Sequence, residues 1–356
     1  MRIVSMKVEK LDLVPRTALT VAYGSYAVLN YALVKVYTDD RHVGLGEASP
    51  DPMVTGETQS SVMDALEKIS SLLIGLDPFD IDSIMMMCLR EIPEFPAAMA
   101  AVDMAMYDLM GKSIGVPAYR LLGGKSRNGI GLYPVIPLDE PATMAAMSKG
   151  FADMGLPTMK IKLGTKPEED LARLVAIRDV VGNSIKLRLD INQGWKDART
   201  AIAAIRSMEG FNLEYIEQPV AATDLEGLAE VSAAVDLPVM ADESCHGPAD
   251  ALKIVAMKAA DMINIKLMKC GGIYQASAVL SIARAAGIPC ILGSMGESTI
   301  ASLAGLHFVT ARHDIVACAV IGPLFIENDP ATGFQVDMAT FMASPNDEPG
   351  LGASLA

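Results

Sequence analysis

The chain is poor in the residues that build metal ribbons and disulfide frames. Its five cysteines, Cys88, Cys245, Cys270, Cys290 and Cys318, are scattered and form no Cys-x-x-Cys pair. That pattern fits reduced thiols and argues against structural zinc or cross-linking. Four histidines, His42, His246, His307 and His313, make no metal-binding pair, so each reads as a surface or structural side chain. Basic residues are outnumbered, 29 against 43 acidic, for a formal charge of −14. Phosphate binding needs clustered Lys and Arg, which argues against a nucleic-acid partner and against an anionic membrane surface. The longest apolar run, residues 315–326, contains Gly322 and Pro323 and falls short of the roughly 20 residues of a bilayer span. Residues 1–7 lack the apolar stretch of a signal peptide. A cytoplasmic protein is therefore expected, with no membrane partner. There is no low-complexity segment and no glycine-rich phosphate loop.

What the chain does have is apolar content: 51% of its 356 residues, enough for a large core and roughly two domains. Residues 8–13, 31–37 and 43–47 read as strands and 58–74, 81–89 and 97–111 as helices, which suggests an α+β domain over residues 1–125. From about Gly129 a short apolar strand and an amphipathic helix alternate. Strands are expected at 130–135, 158–163, 186–191, 213–216, 238–241, 261–265, 289–293 and 315–321. Helical patterns cover 171–181, 198–208, 225–235, 249–257 and 274–286. Eight such strands close a barrel over residues 126–325. A doubly wound open sheet is the rival architecture, disfavoured by the regular repeat and the missing phosphate loop. Residues 326–356 leave the repeat and are expected to pack back on the first domain.

Barrel chemistry sits at the C-terminal strand ends, and five charged residues occupy those ends in succession. Lys162, Asp190, Glu217, Asp242 and Lys266 are separated by 28, 27, 25 and 24 residues, by subtraction of their numbers. Each gap is one βα unit, so the five face one barrel mouth. A charge in an apolar strand is costly unless paired or metal-bound, and an isolated one could be an ordinary salt bridge. Three adjacent carboxylates, Asp190, Glu217 and Asp242, repel one another. A hard divalent cation relieves that repulsion, and Mg²⁺ prefers an all-oxygen ligand set. Lys162 and Lys266 flank the trio. Lys160, two residues from Lys162 on the same strand face, adds like charge that favours a neutral Lys162 and so a general base.

The chemistry that follows is removal of a proton α to a carboxylate. The charge that develops on the carboxylate oxygens is stabilised by a cation placed there. Two lysines on opposite faces of a planar intermediate could take a proton from one side and return it on the other, as in a racemase or epimerase. A cycloisomerase or a syn-dehydratase, needing one base for the proton step, is the alternative. A barrel that binds metal without catalysis is the reading from another class, and the intact set of five charges speaks against it.

Several strings carry a resemblance to the muconate lactonizing branch of the enolase superfamily. They are Lys160-Ile161-Lys162, Asp190-Ile191-Asn192-Gln193-Gly194-Trp195, Glu217-Gln218-Pro219, Asp242-Glu243-Ser244 and Asn264-Ile265-Lys266-Leu267-Met268-Lys269-Cys270-Gly271-Gly272. Leu45-Gly46-Glu47, Tyr107-Asp108-Leu109 and Pro349-Gly350-Leu351-Gly352 extend the likeness over nearly the whole chain. It looks most like dipeptide epimerases of the L-Ala-D/L-Glu type. The resemblance implies a modified (β/α)7β barrel under an N-terminal α+β capping domain completed by the C-terminal segment. It further implies one Mg²⁺ per subunit on Asp190, Glu217 and Asp242, with acid/base lysines at Lys162 and Lys266, and by analogy a homo-oligomer. The sequence also departs from that pattern. Such epimerases carry Asp-x-Asp at the eighth strand for a substrate ammonium, where this chain has Ala319-Val320-Ile321. Thr20 stands where glutamate-specific members place an arginine, beside Tyr23 and Tyr26 in the same loop. A small-molecule carboxylate of hydrophobic character, a dipeptide or an N-acyl amino acid, is therefore expected in place of Ala-Glu. Glu297 either lines the pocket or caps the helix after the seventh strand.

Overall fold

A computed structural model describes all 356 residues. The chain opens with β1 (Ile3–Leu13), β2 (Leu19–Val21), β3 (Gly24–Tyr26), β4 (Leu29–Thr38) and β5 (Val43–Ala48), followed by α1 (Gln59–Leu73), α2 (Ile81–Glu91), α3 (Pro96–Ile114) and α4 (Ala118–Leu121). β1, β4 and β5 form an antiparallel meander, and β2 and β3 form a hairpin. Helix α3 packs on β5 so closely that a Cβ at Gly46 would strike the Ala101 carbonyl. Only glycine permits that approach.

The second part runs β6 (Ile130–Gly131), β7 (Val135–Ile136), α5 (Pro141–Asp153), β8 (Thr158–Lys162), α6 (Pro167–Val181), β9 (Lys186–Asp190), α7 (Ala198–Met208), β10 (Leu213–Glu217), α8 (Leu225–Ala234), β11 (Val239–Ala241), α9 (Pro248–Met257), β12 (Met262–Ile265), α10 (Leu267–Cys270), α11 (Ile273–Ala285), β13 (Cys290–Leu292), α12 (Thr299–Ala311) and β14 (Ile315–Cys318). Strands β7 to β14 form one eight-stranded sheet in sequence order, parallel throughout. A bridge between Leu132 and Cys318 joins the last strand back to the chain just before the first. Seven strand-joining helices and eight strands make the expected (β/α)7β barrel, with a capping layer over it. The helices show why these residues fold so: in α7 the Asp197 carboxylate caps the Thr200 amide and Ala201, Ala204, Ile205 and Met208 turn inward.

One expected strand is broken. Residues 130–135 split into β6 and β7 around Pro134, which has no N–H for a ladder. β6 pairs instead with β17 of the C-terminal segment, where β15 (Ala331–Thr332), β16 (Val336–Asp337), β17 (Met342–Ala343) and β18 (Ser354–Leu355) lie. The capping layer is tied to the rest by buried carboxylates. Asp103 on α3 accepts from the Ile273 (2.6 Å) and Tyr274 (3.1 Å) amides that start α11. Glu47 on β5 accepts from the Ser298 amide (3.0 Å) and hydroxyl at the start of α12. Asp108 accepts from the Leu351 amide (2.8 Å) near the C-terminus. No helix is long and apolar enough to cross a membrane.

Candidate functional site

Parallel register brings the charged strand ends to one height. Lys162 of β8 lies beside Asp190 of β9, and Asp190 beside Glu217 of β10. Asp242 directly follows β11 and Lys266 directly follows β12. Strand alternation turns Lys160 inward with Lys162. All six side chains are buried. The structure thus gathers the six charged residues singled out from sequence. β8 and β12 are four places apart in an eight-stranded ring, which sets Lys162 and Lys266 across the mouth from each other.

The contacts form a connected network. The Lys160 ammonium bridges Asp190 (2.7 Å) and Glu217 (2.8 Å). Lys162 donates to Asp190 (2.7 Å) and to the Asn192 side-chain oxygen (2.9 Å). The Asn192 amide donates onward to Glu243 (2.9 Å), and Asn264 donates to Glu217 (2.9 Å). Lys266 and Lys269 lie 2.8 and 2.6 Å from the two oxygens of Asp242. Gln218 braces the loop after β11 by accepting from the Asp242 (2.9 Å) and Ser244 (3.1 Å) amides. Asn192 and Gln218 both adopt positive φ, 43° and 40°, a costly backbone for non-glycine residues that concentrates at functional sites.

Electrostatics differ sharply within the trio. Burial, reinforced by Asp190, pushes Glu217 up to about 8. At Asp190 burial acts upward but Lys160 and Lys162 outweigh it and hold the group low. Asp242 is likewise held well below the usual carboxylate range by Lys266 and Lys269, against burial. Burial acts to lower Lys266, yet Asp242 and Glu243 prevail and keep it above the ordinary lysine value. The donor set fits a hard cation: Glu217 Oε2 and both Asp242 oxygens are buried without a well-formed hydrogen bond, and Asp242 meets only charge–charge contacts. As the side chains stand, no three acidic, histidine or cysteine groups converge to enclose an ion; lysine ammonium groups lie against Asp190, Glu217 and Asp242. An all-oxygen trio that includes the unpartnered Glu217 Oε2 is a donor set that suits Mg²⁺.

Above the network lies a cavity of about 440 Å³. Tyr23, Tyr26, Ala319 and Ile321 line it, together with Lys160, Lys162 and Lys266. Burial and then the Asp51 and Glu243 carboxylates raise the Tyr23 phenol. Two expected lining residues do not reach it. Thr20 turns to the Ser25 hydroxyl (2.9 Å) across the hairpin, because its place in β2 aims it at β3. Glu297 is buried against the Ser294 hydroxyl, while Ser298 takes the cap of α12 by accepting from Ile300. Glu297 therefore neither lines the cavity nor caps the helix. Sequence reasoning assigned no role to Asn192, Glu243, Asn264 or Lys269. For Lys269 a signal existed, a lysine inside the apolar run Leu267-Met268-Lys269-Cys270.

Comparison with known proteins agrees with this architecture. Residues 6–123 match the family model described as the mandelate racemase/muconate lactonizing enzyme N-terminal domain, and residues 143–356 the enolase C-terminal domain-like model. The chain is 36% identical to the N-succinyl-L-Arg/Lys racemase of Bacillus cereus, covering 100% of this chain and 96% of the relative. It is 39% identical to the hydrophobic dipeptide epimerase of Enterococcus faecalis, covering 99% and 98%. A crystal structure of the Enterococcus faecalis dipeptide epimerase with Mg and L-Leu-L-Tyr superposes with a TM-score of 0.95 at 38% identity, covering 99% and 100%. With both halves matched at this level, the chain belongs to the mandelate racemase/muconate lactonizing enzyme family of the enolase superfamily and is an isomerase of its racemase and epimerase kind.

Proposed function

We propose that this isomerase inverts the carbon next to a carboxylate in a dipeptide or N-acyl amino acid of hydrophobic character, and depends on magnesium. The observation that carries the reading is the pairing of Lys162 and Lys266 across one barrel mouth, with Asp190, Glu217 and Asp242 between them. Asp190, Glu217 and Asp242 would hold one Mg²⁺ per subunit. When bound, it supplies positive charge at the carboxylate oxygens, where negative charge grows as the α-proton leaves. One lysine accepts the α-proton on its Nζ, and the opposite lysine delivers a proton to the other face of the planar enediolate. Lys160 adds fixed positive charge beneath Asp190 and Glu217, and Asn192 orients Lys162. The hydrophobic preference rests on the cavity wall, where Ala319 and Ile321 stand in place of a carboxylate pair and the cap hairpin adds Tyr23 and Tyr26. A cytoplasmic homo-oligomer is proposed as the working form.

A library of dipeptides and N-acyl amino acids, incubated with the protein and Mg²⁺ in D₂O, is expected to exchange its α-proton and lose optical purity, with apolar members reacting fastest. Exchange confined to L-Ala-L-Glu would refute the substrate class. Lys162→Ala and Lys266→Ala are each expected to keep Mg²⁺ binding and lose racemisation. Racemisation at the wild-type rate in either variant would reject the two-base scheme.

A further inference from the structure

Asn192 holds Lys162 by one end of its side-chain amide. Its Oδ1 accepts from the Lys162 Nζ (2.9 Å), and its Nδ2 donates to Glu243 Oε1 (2.9 Å). An asparagine amide keeps nearly the same shape when its oxygen and nitrogen change places. Exchanged, it would set an N–H against the lysine nitrogen and lose the bond. The positive φ of Asn192 fixes the backbone alone, and its main-chain amide is taken by the Asp190 carboxylate (3.1 Å). Neither decides which end of the side chain faces Lys162. The group on the far side does: an ionised carboxylate only accepts, so Glu243 meets the nitrogen end and leaves the oxygen to the lysine.

Glu243 serves no other visible purpose. It is 2% exposed, and the bond from Asn192 is the one hydrogen bond its side chain makes. Its Oε2 is buried without a partner, and Lys266 pairs with Asp242 (2.8 Å) rather than with it. A carboxylate so placed costs stability. Lys162 and Asn192 line the cavity, whereas Glu243 stands outside the lining.

We propose that Glu243 is a positioning residue for Lys162, acting through Asn192, whose side-chain oxygen it holds on the lysine. This rests on the epimerase reading of the same site and deepens it. Asp190 (2.7 Å) and Asn192 take two hydrogens of the Lys162 Nζ. One tetrahedral position of that nitrogen then remains, and it is the one that trades a proton with the substrate. Without the Asn192 contact Nζ is free to turn about its bond to Cε, which misplaces the reacting position. No such relay reaches Lys266, so the relay serves one stereochemical direction only.

The test uses the full-length protein with saturating Mg²⁺ and the epimers L-Ala-L-Leu and L-Ala-D-Leu in D₂O. The epimer that stops exchanging in Lys162→Ala is the one Lys162 handles. Glu243→Gln removes the charge and keeps an acceptor, whereas Glu243→Leu removes both, so any effect of the charge on Lys266 is common to the two. Exchange of the Lys162 epimer is expected to be about tenfold slower in Glu243→Leu than in Glu243→Gln, as a fall in kcat, with the other epimer alike within about twofold. In an Asn192→Ala background the two variants should agree within about twofold for both epimers, because the relay is already cut. Equal slowing of both epimers, or a gap that survives Asn192→Ala, overturns the relay. A second readout needs no turnover. The Asn192 side-chain NH₂ signal in nuclear magnetic resonance, identified by its loss in Asn192→Ala, should show a hydrogen protected from solvent exchange in the wild type and in Glu243→Gln, and lose that protection in Glu243→Leu. An unprotected signal in the wild type overturns the relay even if Glu243→Leu does not fold. Protection of Asn192 with no exchange of either dipeptide would sink the substrate reading alone, and exchange with an unprotected Asn192 would sink the relay alone.

Discussion

Replacing Lys269 by methionine keeps much of the side-chain volume and removes one charge from the fully buried interior beside the candidate site. The Lys269 ammonium lies 2.6 Å from Asp242 and also donates to the carbonyls of Asp242, Cys245 (3.1 Å) and Asn264 (3.1 Å). Removing one member of a buried ion pair costs about 3–5 kcal/mol; Asp242 keeps Lys266 at 2.8 Å, but the carbonyls of Asp242, Cys245 and Asn264 lose their buried donor. Methionine refills the space, so little cavity cost adds to this. The expected loss is about 4 kcal/mol, a large share of a typical net stability of about 5–15 kcal/mol. The assay is urea unfolding followed by the fluorescence of Trp195, the single tryptophan, which is buried and hydrogen-bonded to Asp170 (3.0 Å). Coincident fluorescence and circular-dichroism transitions license the free-energy comparison. Saturating Mg²⁺ should restore more stability to Lys269→Met than to the wild type, since a cation on the carboxylate trio replaces part of the missing charge. A loss under about 1 kcal/mol, or equal rescue of both proteins, would refute the argument that Lys269 neutralises Asp242.

Asn192→Ala removes the partner that orients Lys162 and leaves Lys266 untouched, so exchange should slow by about tenfold or more from the stereoisomer handled by Lys162 and much less from the other. Equal slowing of both would point to a general structural defect. Gly272 has φ +104° and a Cβ there would lie 2.5 Å from the Asp103 carboxylate. Gly272→Ala should therefore cost about 2 kcal/mol or more in unfolding experiments, and a neutral effect would contradict the close approach. Burial raises the Asp103 carboxyl from 3.8 to about 7, against the pull of the Ile273 and Tyr274 amides. The folded state then holds a proton that the unfolded state releases. This contribution is full below about pH 4, fades as pH rises, and is lost above about pH 7. Asp103→Asn should flatten the fall in stability over that window, measured as melting temperature against pH.

The barrel was legible because its charged strand ends recur at the length of one βα unit, and because short apolar strands alternate with helices. Structure at shorter range was less visible. Helix α12 escaped the pattern reading because residues from Thr299 to Thr310 are all buried, which erases the polar stripe that marks a helix. The apolar pattern sets the first barrel strand at 130–135, whereas the pairing falls on Val135 and Ile136, after Pro134. The sequence shows only a loop carrying Tyr23 and Tyr26, yet the pairing of β2 with β3 directs Thr20 to Ser25 and leaves both tyrosines at the cavity. The charged site itself was readable residue by residue. The supporting contacts of Asn192, Glu243, Asn264 and Lys269 depend on which loops meet above the barrel, and no spacing encodes that.

The chain just past the eighth strand presents Ala319 and Ile321 to the cavity, so that side carries no charged side chain. Its side chains are free to change size or polarity while the charged floor stays as it is. Selectivity is therefore expected to shift when that wall and the hairpin above it are rewritten and the charged floor is left alone.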